Sequence, residues 1–240
     1  MSETRLSFER YEKKYLLSPA QYEALLPRLE GRIEPDEYHR STVCSIYYDS
    51  PDYRLIRNSI EEPVYKEKLR LRSYNVPRPE DAVFLELKKK YGGIVYKRRV
   101  GMSAREAALY LAGKAAAPED GQVLREIDWF MRVNRPVPMV FIACDRTAYR
   151  VKDEPELRIT FDRDIRWRES ELELTRGSHG KALLPGGQLL METKIPGSVP
   201  LWMAELFSEL GVFPTGFSKY GVCYKDNLLM KYVNGVILSV

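Results

Sequence analysis

The sequence predicts an α+β fold: an antiparallel β-barrel of about eight strands, with a charged interior and helices packed outside. Three observations predict it. About eight segments alternate apolar and charged residues with the two-residue period of a strand. Four segments, over residues 22–29, 104–112, 122–133 and 201–210, carry apolar stripes at helical spacing and need an apolar surface to cover. The Leu/Ile/Val face of the strands supplies that surface, which turns the charged face inward.

The elements follow in order. Leu6 to Leu17 reads as a strand with Arg10, Glu12 and Lys14 on one face and Tyr11, Lys13 and Tyr15 on the other. Ser18 caps a helix with Pro19 at its first position, an apolar stripe of Tyr22, Leu25, Leu26 and Leu29, and Gly31 as its stop. A second strand spans Ser41 to Asp49, followed by a Ser50-Pro51-Asp52 turn and a short helical piece through Arg57. Tyr65 to Tyr74 alternates strictly: Lys66, Lys68, Arg70 and Arg72 share one face, Leu69 and Leu71 the other. Phe84 to Lys90 places Glu86 with Lys88 opposite Leu85 and Leu87. After a Gly92-Gly93 turn, Val95 to Val100 places Lys97 with Arg99.

Ser103 and Glu106 form a capping box for a helix that ends at Gly113. A small-residue linker, Lys114 to Pro118, precedes a helix over about Gln122 to Val133, ended by Pro136 and Pro138. Strands follow at Met139 to Tyr149, with Arg146, and at Glu156 to Asp162, where Arg158 and Asp162 oppose Leu157, Ile159 and Phe161. Ile165 to Leu174 reads as a further strand or hairpin arm, and Leu189 to Ile195 sets Glu192 beside Lys194. Pro200 starts a helix that Gly211 ends, and a last helix covers about Tyr220 to Tyr232.

The chain's 240 residues fit one large β domain or two small ones, and 44% hydrophobic with 30% charged content supports a sizeable core and excludes disorder. The net charge of +4 is modest, so the basic residues matter by position rather than number. Nucleic acid is not expected, because no Lys/Arg run interleaves with a nucleic-acid module. Cys44, Cys144 and Cys223 are far apart and odd in number, which fits a reducing cytoplasm and neither a zinc site nor a disulfide framework. The N-terminus lacks an apolar leader, and no run of about 18 apolar residues occurs, so no membrane span is expected. His39 and His179 read as surface residues, Cys144 as packing, and Tyr47, Tyr48 and Asp49 as strand-end packing rather than a nucleotide site.

Like charges side by side on a strand repel, and repetition of the row on neighbouring strands points to a bound anion. Arg and Lys offer charge-assisted bonds suited to a run of phosphates. Carboxylates among them suit Mg²⁺ or Mn²⁺, hard ions that take carboxylate and phosphate oxygens together.

The ordered set Arg10-Tyr11-Glu12-Lys13-Lys14-Tyr15, Leu69-Arg70-Leu71-Arg72-Ser73-Tyr74, Leu85-Glu86-Leu87-Lys88, Tyr96-Lys97-Arg98-Arg99, Asp145-Arg146-Thr147-Ala148-Tyr149, Leu157-Arg158-Ile159, Met191-Glu192-Thr193-Lys194 and Phe217-Ser218-Lys219-Tyr220 resembles the VTC domain. That is the polyphosphate polymerase domain of the triphosphate tunnel metalloenzyme (CYTH-like) superfamily. The resemblance implies one domain over residues 1–240, an eight-stranded antiparallel tunnel open at both ends, and Mn²⁺ or Mg²⁺ as cofactor. It implies ATP, triphosphate or polyphosphate as substrate, and it leaves room for a membrane-protein partner.

By motif, Lys14, Arg70, Arg72, Lys88, Arg146, Arg158 and Glu192 would carry catalysis. Arg10, Arg57, Lys68, Lys97, Arg99, Lys194, Ser218 and Lys219 would hold substrate, Arg57 by a loose match in spacing. Glu192, Glu12 and Glu86 would be the metal-ligand set, Glu12 serving equally well as the partner of Lys14. Arg10 stands where hydrolase and cyclase branches carry the first Glu of Glu-x-Glu-x-Lys, and Gly216 where the polymerases often carry a basic residue. The implied activity is polymerisation of polyphosphate from ATP. Hydrolysis of tripolyphosphate or nucleoside triphosphate at the same site is the alternative, as is a non-catalytic sensor of polyphosphate or inositol phosphate.

Overall fold

The computed structural model describes residues 11–92, 94–117 and 120–238. The chain runs β1 (Tyr11–Leu17), α1 (Pro19–Leu29), β2 (Ile33–Asp49), α2 (Arg54–Ile60), β3 (Tyr65–Tyr74), β4 (Ala82–Tyr91) and β5 (Ile94–Ser103). It continues through α3 (Ala104–Leu111), α4 (Gln122–Asn134), β6 (Val137–Val151), β7 (Glu154–Arg168), β8 (Lys181–Ala182) and β9 (Leu189–Ile195). α5 (Leu201–Glu209), α6 (Lys219–Cys223), a π-helical turn over Tyr224–Leu228 and α7 (Leu229–Leu238) close it.

Two compact units result. The first holds the described residues through Ser41, then Cys144–Ile165 and Leu184–Phe217. The second holds Thr42–Ala143, Arg166–Leu183 and the described residues from Ser218.

In the first unit, β1 pairs antiparallel with β9, and β9 with β7. Alternation sends Tyr15 and Leu17 of β1, Leu189 and Met191 of β9, and Leu157, Ile159 and Phe161 of β7 to one face, where all are buried. α1 and α5 cover that face with Tyr22, Leu25, Leu29, Met203, Leu206 and Phe207. Each fully buried Leu or Phe there contributes about 1.5–3 kcal/mol. α1 starts as expected, with Ser18 accepting from the Gln21 N–H and Gln21 reaching back to the Ser18 N–H.

In the second unit, β2, β3, β4 and β5 form an antiparallel meander. Leu69, Leu71, Leu85 and Leu87 pack with Ile46, and Ala107 of α3 and Leu124, Ile127 and Phe130 of α4 close the core. α3 opens on the expected capping box of Ser103 and Glu106.

Hydrogen bonding orders the strands β1-β9-β7-β6-β2-β3-β4-β5, with β8 on β7. This is a large antiparallel sheet with helices on its apolar face, and among the described residues no pairing closes it into the expected eight-stranded barrel. Its end strands carry like charges, Lys13 and Lys14 on β1 and Lys97, Arg98 and Arg99 on β5. Charged edge strands resist pairing. β2 starts at Ile33, well before the expected Ser41, and β7 is one strand through Arg168 where a break before Ile165 was expected. Among the described residues, no helix is long and apolar enough to cross a membrane. Cys44, Cys144 and Cys223 are buried.

Candidate functional site

The charged faces of the two units differ in kind. In the first unit, cross-strand register sets Lys14 beside Glu192 and Thr160, and Glu12 beside Lys194 and Arg158. Opposite charges therefore alternate along β1 and β9 and face each other between them, while Arg158 stands beside Lys194. The Lys14 ammonium is 3.3 Å from Glu12 and donates to the Phe217 carbonyl at 3.1 Å. Arg146 on β6 grips Asp162 on β7 with a two-pronged bond of 2.6 and 2.7 Å, and its Nη2 lies 3.6 Å from Glu192. Asp162 is fully buried. Burial works against the Arg146 charge, but Asp162 and Glu192 outweigh it and raise its pKa. Arg158 pairs with Asp36 at 3.5 Å. Four cations (Lys14, Arg146, Arg158, Lys194) thus stand among four carboxylates (Glu12, Asp36, Asp162, Glu192).

The second unit is different: it is cationic. Lys68, Lys88 and Lys97 stand abreast on β3, β4 and β5, and Lys66 opposes Lys90. Directly opposed like charges destabilise a sheet. The neighbouring row is Arg70, Glu86 and Arg99, so one carboxylate is flanked by a guanidinium on either side. Arg70 binds Glu86 through Nε and Nη2, both at 2.8 Å, Lys97 reaches it at 2.6 Å, Arg99 at 3.6 Å and Arg72 at 3.8 Å. Glu86 is 1% exposed. Burial alone would raise its pKa, but Arg70, Arg72 and Lys97 hold it down to about 2.

Further groups fix this row. Arg72 donates to Ser45 at 3.2 Å, and the Arg99 guanidinium lies 3.5 Å over the Phe84 ring. Tyr47, opposite Arg70 in register, is buried and stacks on Tyr220 with centroids 5.0 Å apart. Burial would raise the Tyr47 phenol, yet Arg70, Arg72 and Lys219 pull its pKa down. Tyr220 donates to buried Asp49 at 2.9 Å, and Asp49 also accepts the Ser50, Leu55 and Ile56 N–H groups. Ser218 caps α6 through the Gly221 N–H and accepts from Lys68 at 3.2 Å. Ser218, Lys219 and Tyr220 are thereby pinned to the basic face.

The residues expected to share one site fall into two groups, one in each unit. Glu12, Lys14, Arg146, Arg158, Glu192 and Lys194 lie in the first. Lys68, Arg70, Arg72, Glu86, Lys88, Lys97, Arg99, Ser218 and Lys219 lie in the second. Arg10 is outside the described residues. Arg57 on α2 is paired with Asp52 at 2.8 Å and lies over the Tyr232 ring.

The carboxylates fit a divalent cation unequally. Glu12 and Glu192 sit on adjacent strands, on one face, two positions apart in register. Among the described residues no three His, Cys, Asp or Glu side chains gather into a metal site by themselves. An ion bound by one or two carboxylates plus substrate phosphates requires no such cluster. Glu86 differs from Glu12 and Glu192, being buried with Arg70, Arg72, Lys97 and Arg99 all within 3.8 Å of its carboxylate. Sequence reasoning missed Asp162 and Asp36 as members of the site. Asp162 carried a signal, sharing a face with Arg158, whereas Asp36 lay in a stretch not recognised as strand.

The family model of the VTC domain matches residues 9–226. The chain belongs to that family. No curated protein matches this VTC domain. Among solved structures it is similar to a candidate adenylate cyclase from Bacillus halodurans, with a TM-score of 0.54 and 14% identity over 86% of this chain and 92% of that one. It is also similar to HpAC1 from Hippeastrum, a candidate adenylyl cyclase described as having a dominant triphosphatase activity. There the TM-score is 0.56 and the identity 17% over 90% of this chain and 96% of that one. At these identities the likeness concerns the fold.

Proposed function

We propose that this VTC domain transfers the γ-phosphate of ATP onto a growing inorganic polyphosphate chain. The observation that carries the reading is the cationic face of the second unit. Three lysines stand abreast beside a row of arginines around one buried carboxylate, which suits an anion of several charges better than a single phosphate. Membership of the VTC family supports the same substrate class.

In this reading Lys68, Lys88, Lys97 and Lys219 neutralise successive phosphates, and Arg70, Arg72 and Arg99 orient them with planar forks. Ser218 donates to a phosphate oxygen. In the first unit, Lys14, Arg146, Arg158 and Lys194 are the cations that stand with the carboxylates. A terminal phosphate oxygen of the acceptor attacks the γ-phosphorus, the bond between the β- and γ-phosphates breaks, and ADP leaves. No side-chain nucleophile is required, since positioning and charge neutralisation carry most of such a reaction. Glu192 and Glu12 would hold Mn²⁺ or Mg²⁺, which supplies charge neutralisation on the phosphates. Glu86 acts as the fixed counter-anion that keeps Arg70, Arg72, Lys97 and Arg99 converged.

Hydrolysis is the second reading, favoured by the triphosphatase activity described for the Hippeastrum protein of similar fold. Incubation of purified protein with ATP and Mn²⁺, with polyphosphate and free phosphate measured separately, tests both. Chain growth is the expected result. Phosphate release without polymer supports hydrolysis, and tight polyphosphate binding with neither product leaves a sensor and overturns the proposal.

A further inference from the structure

Two hydroxyls on β2 stand among the arginines of the second unit. Alternation sends Cys44, Ile46 and Tyr48 into the apolar core and turns Ser45 and Tyr47 to the opposite face. Register sets Tyr47 against Arg70 and Ser45 against Arg72. Ser45 is 3% and Tyr47 7% exposed. Buried hydroxyls this far from bulk water need partners within the protein or in a ligand.

Each of these hydroxyls accepts from a guanidinium. Arg72 Nε donates to Ser45 Oγ at 3.2 Å, and Arg70 Nη1 donates to the Tyr47 phenol oxygen over a longer 3.5 Å. A hydroxyl has one proton and two lone pairs, whereas a guanidinium only donates. Each contact therefore takes a lone pair and leaves the hydroxyl proton to be given elsewhere. Among the described residues neither proton has an acceptor. The charged groups acting on Tyr47 are Arg70, Arg72 and Lys219, none of which can accept. Tyr220, stacked on its ring, gives its own proton to Asp49, and the carboxylate of the row, Glu86, stands on β4 beyond Arg70. Ser218 has the same arrangement, accepting from Lys68 at 3.2 Å and from the Gly221 N–H at 3.3 Å. Neutral donors set among cations are complementary to the oxygens of an anion, which take the protons and the surrounding charge together.

We propose that Ser45 and Tyr47 are substrate-binding residues whose hydroxyls donate to non-bridging phosphate oxygens of the polyanion, extending the binding face from β3, β4 and β5 onto β2. This rests on the reading of that face as a polyphosphate site. The test is titration calorimetry of the full chain with tripolyphosphate in the absence of metal. Ser45→Ala and Tyr47→Phe each remove one oxygen and keep the strand and the ring stack. Each should weaken binding about tenfold, the size of one hydrogen bond to a charged group. Ser45→Ala decides alone should Tyr47→Phe melt early. A pH series separates donation to the anion from mere support of Arg70. A tyrosinate still accepts from Arg70 but has no proton to give. Because the Tyr47 phenol ionises below its ordinary value, the advantage of wild type over Tyr47→Phe should close as pH rises toward about 10. Loss of lysine charge affects both proteins and cancels in the ratio. An advantage that persists as Tyr47 ionises makes it a support for Arg70 and overturns the proposal. Unchanged affinity in both variants overturns it while leaving the basic face as the polyphosphate site. Absence of tripolyphosphate binding by wild type overturns both.

Discussion

Glu86→Gln tests how the basic row is held together. The amide keeps the shape and removes the charge that Arg70, Arg72, Lys97 and Arg99 share. In the unfolded chain the carboxyl titrates near 4.5, and in the fold near about 2. At 1.36 kcal/mol per unit, the fold favours the carboxylate by on the order of 3 kcal/mol. Glu86 is buried, so little of that is screened away. Because the folded value is depressed, the contribution is fully present above the unfolded value and is lost as pH falls toward the folded one. Urea unfolding at neutral pH should therefore show the variant weaker by about 3 kcal/mol, in line with breaking a buried ion pair. The gap should narrow as pH drops from about 4.5 to about 2. Tripolyphosphate should raise the melting temperature of the variant more than that of the wild type, because the added anion replaces the missing carboxylate. Equal stability at neutral pH, or a deficit that does not shrink in acid, would refute the reasoning.

Asp162→Asn removes the fully buried charge that the partly buried Arg146 grips with two bonds and should cost about 3–5 kcal/mol by urea unfolding. Glu192→Gln should abolish metal-dependent turnover of ATP while preserving the rise in melting temperature with tripolyphosphate; unimpaired turnover would remove Glu192 from the metal-ligand set. Gly180→Ala would bring a Cβ to 2.6 Å from the Trp167 carbonyl oxygen and 2.9 Å from its nitrogen. Backbone cannot swing aside as a side chain can, so a loss of about 1–3 kcal/mol is expected in thermal unfolding.

The sequence made the meander legible because strict alternation over Tyr65–Tyr74 leaves no other period for Lys66, Lys68, Arg70 and Arg72. Helix α1 was legible from its Ser18 cap and Pro19, and α3 from its capping box. The start of β2 was not, because Pro35 and the charged run from Asp36 to Arg40 lack the alternating apolar pattern. With that segment went Asp36, the partner of Arg158. Single-strand reading assigns a face but not a neighbour. It could therefore pool all cations into one basic wall, whereas register shows the balanced set around Glu192 and the cationic set around Glu86. The role of Glu86 changed for the same reason: beside Lys88 on its own strand it looks like a spare metal ligand, but between Arg70 and Arg99 it is a counter-anion.

Neither compact unit is a continuous length of polypeptide. The chain passes between them after residues 41, 143, 165, 183 and 217, and three of these passages fall within β2, β6 and β7. No single truncation can liberate the cation-rich half from the carboxylate-bearing one. Loss of the N-terminal end cuts into the first unit and loss of the C-terminal end into the second, so neither half is made without a run of the chain that also holds segments of the other.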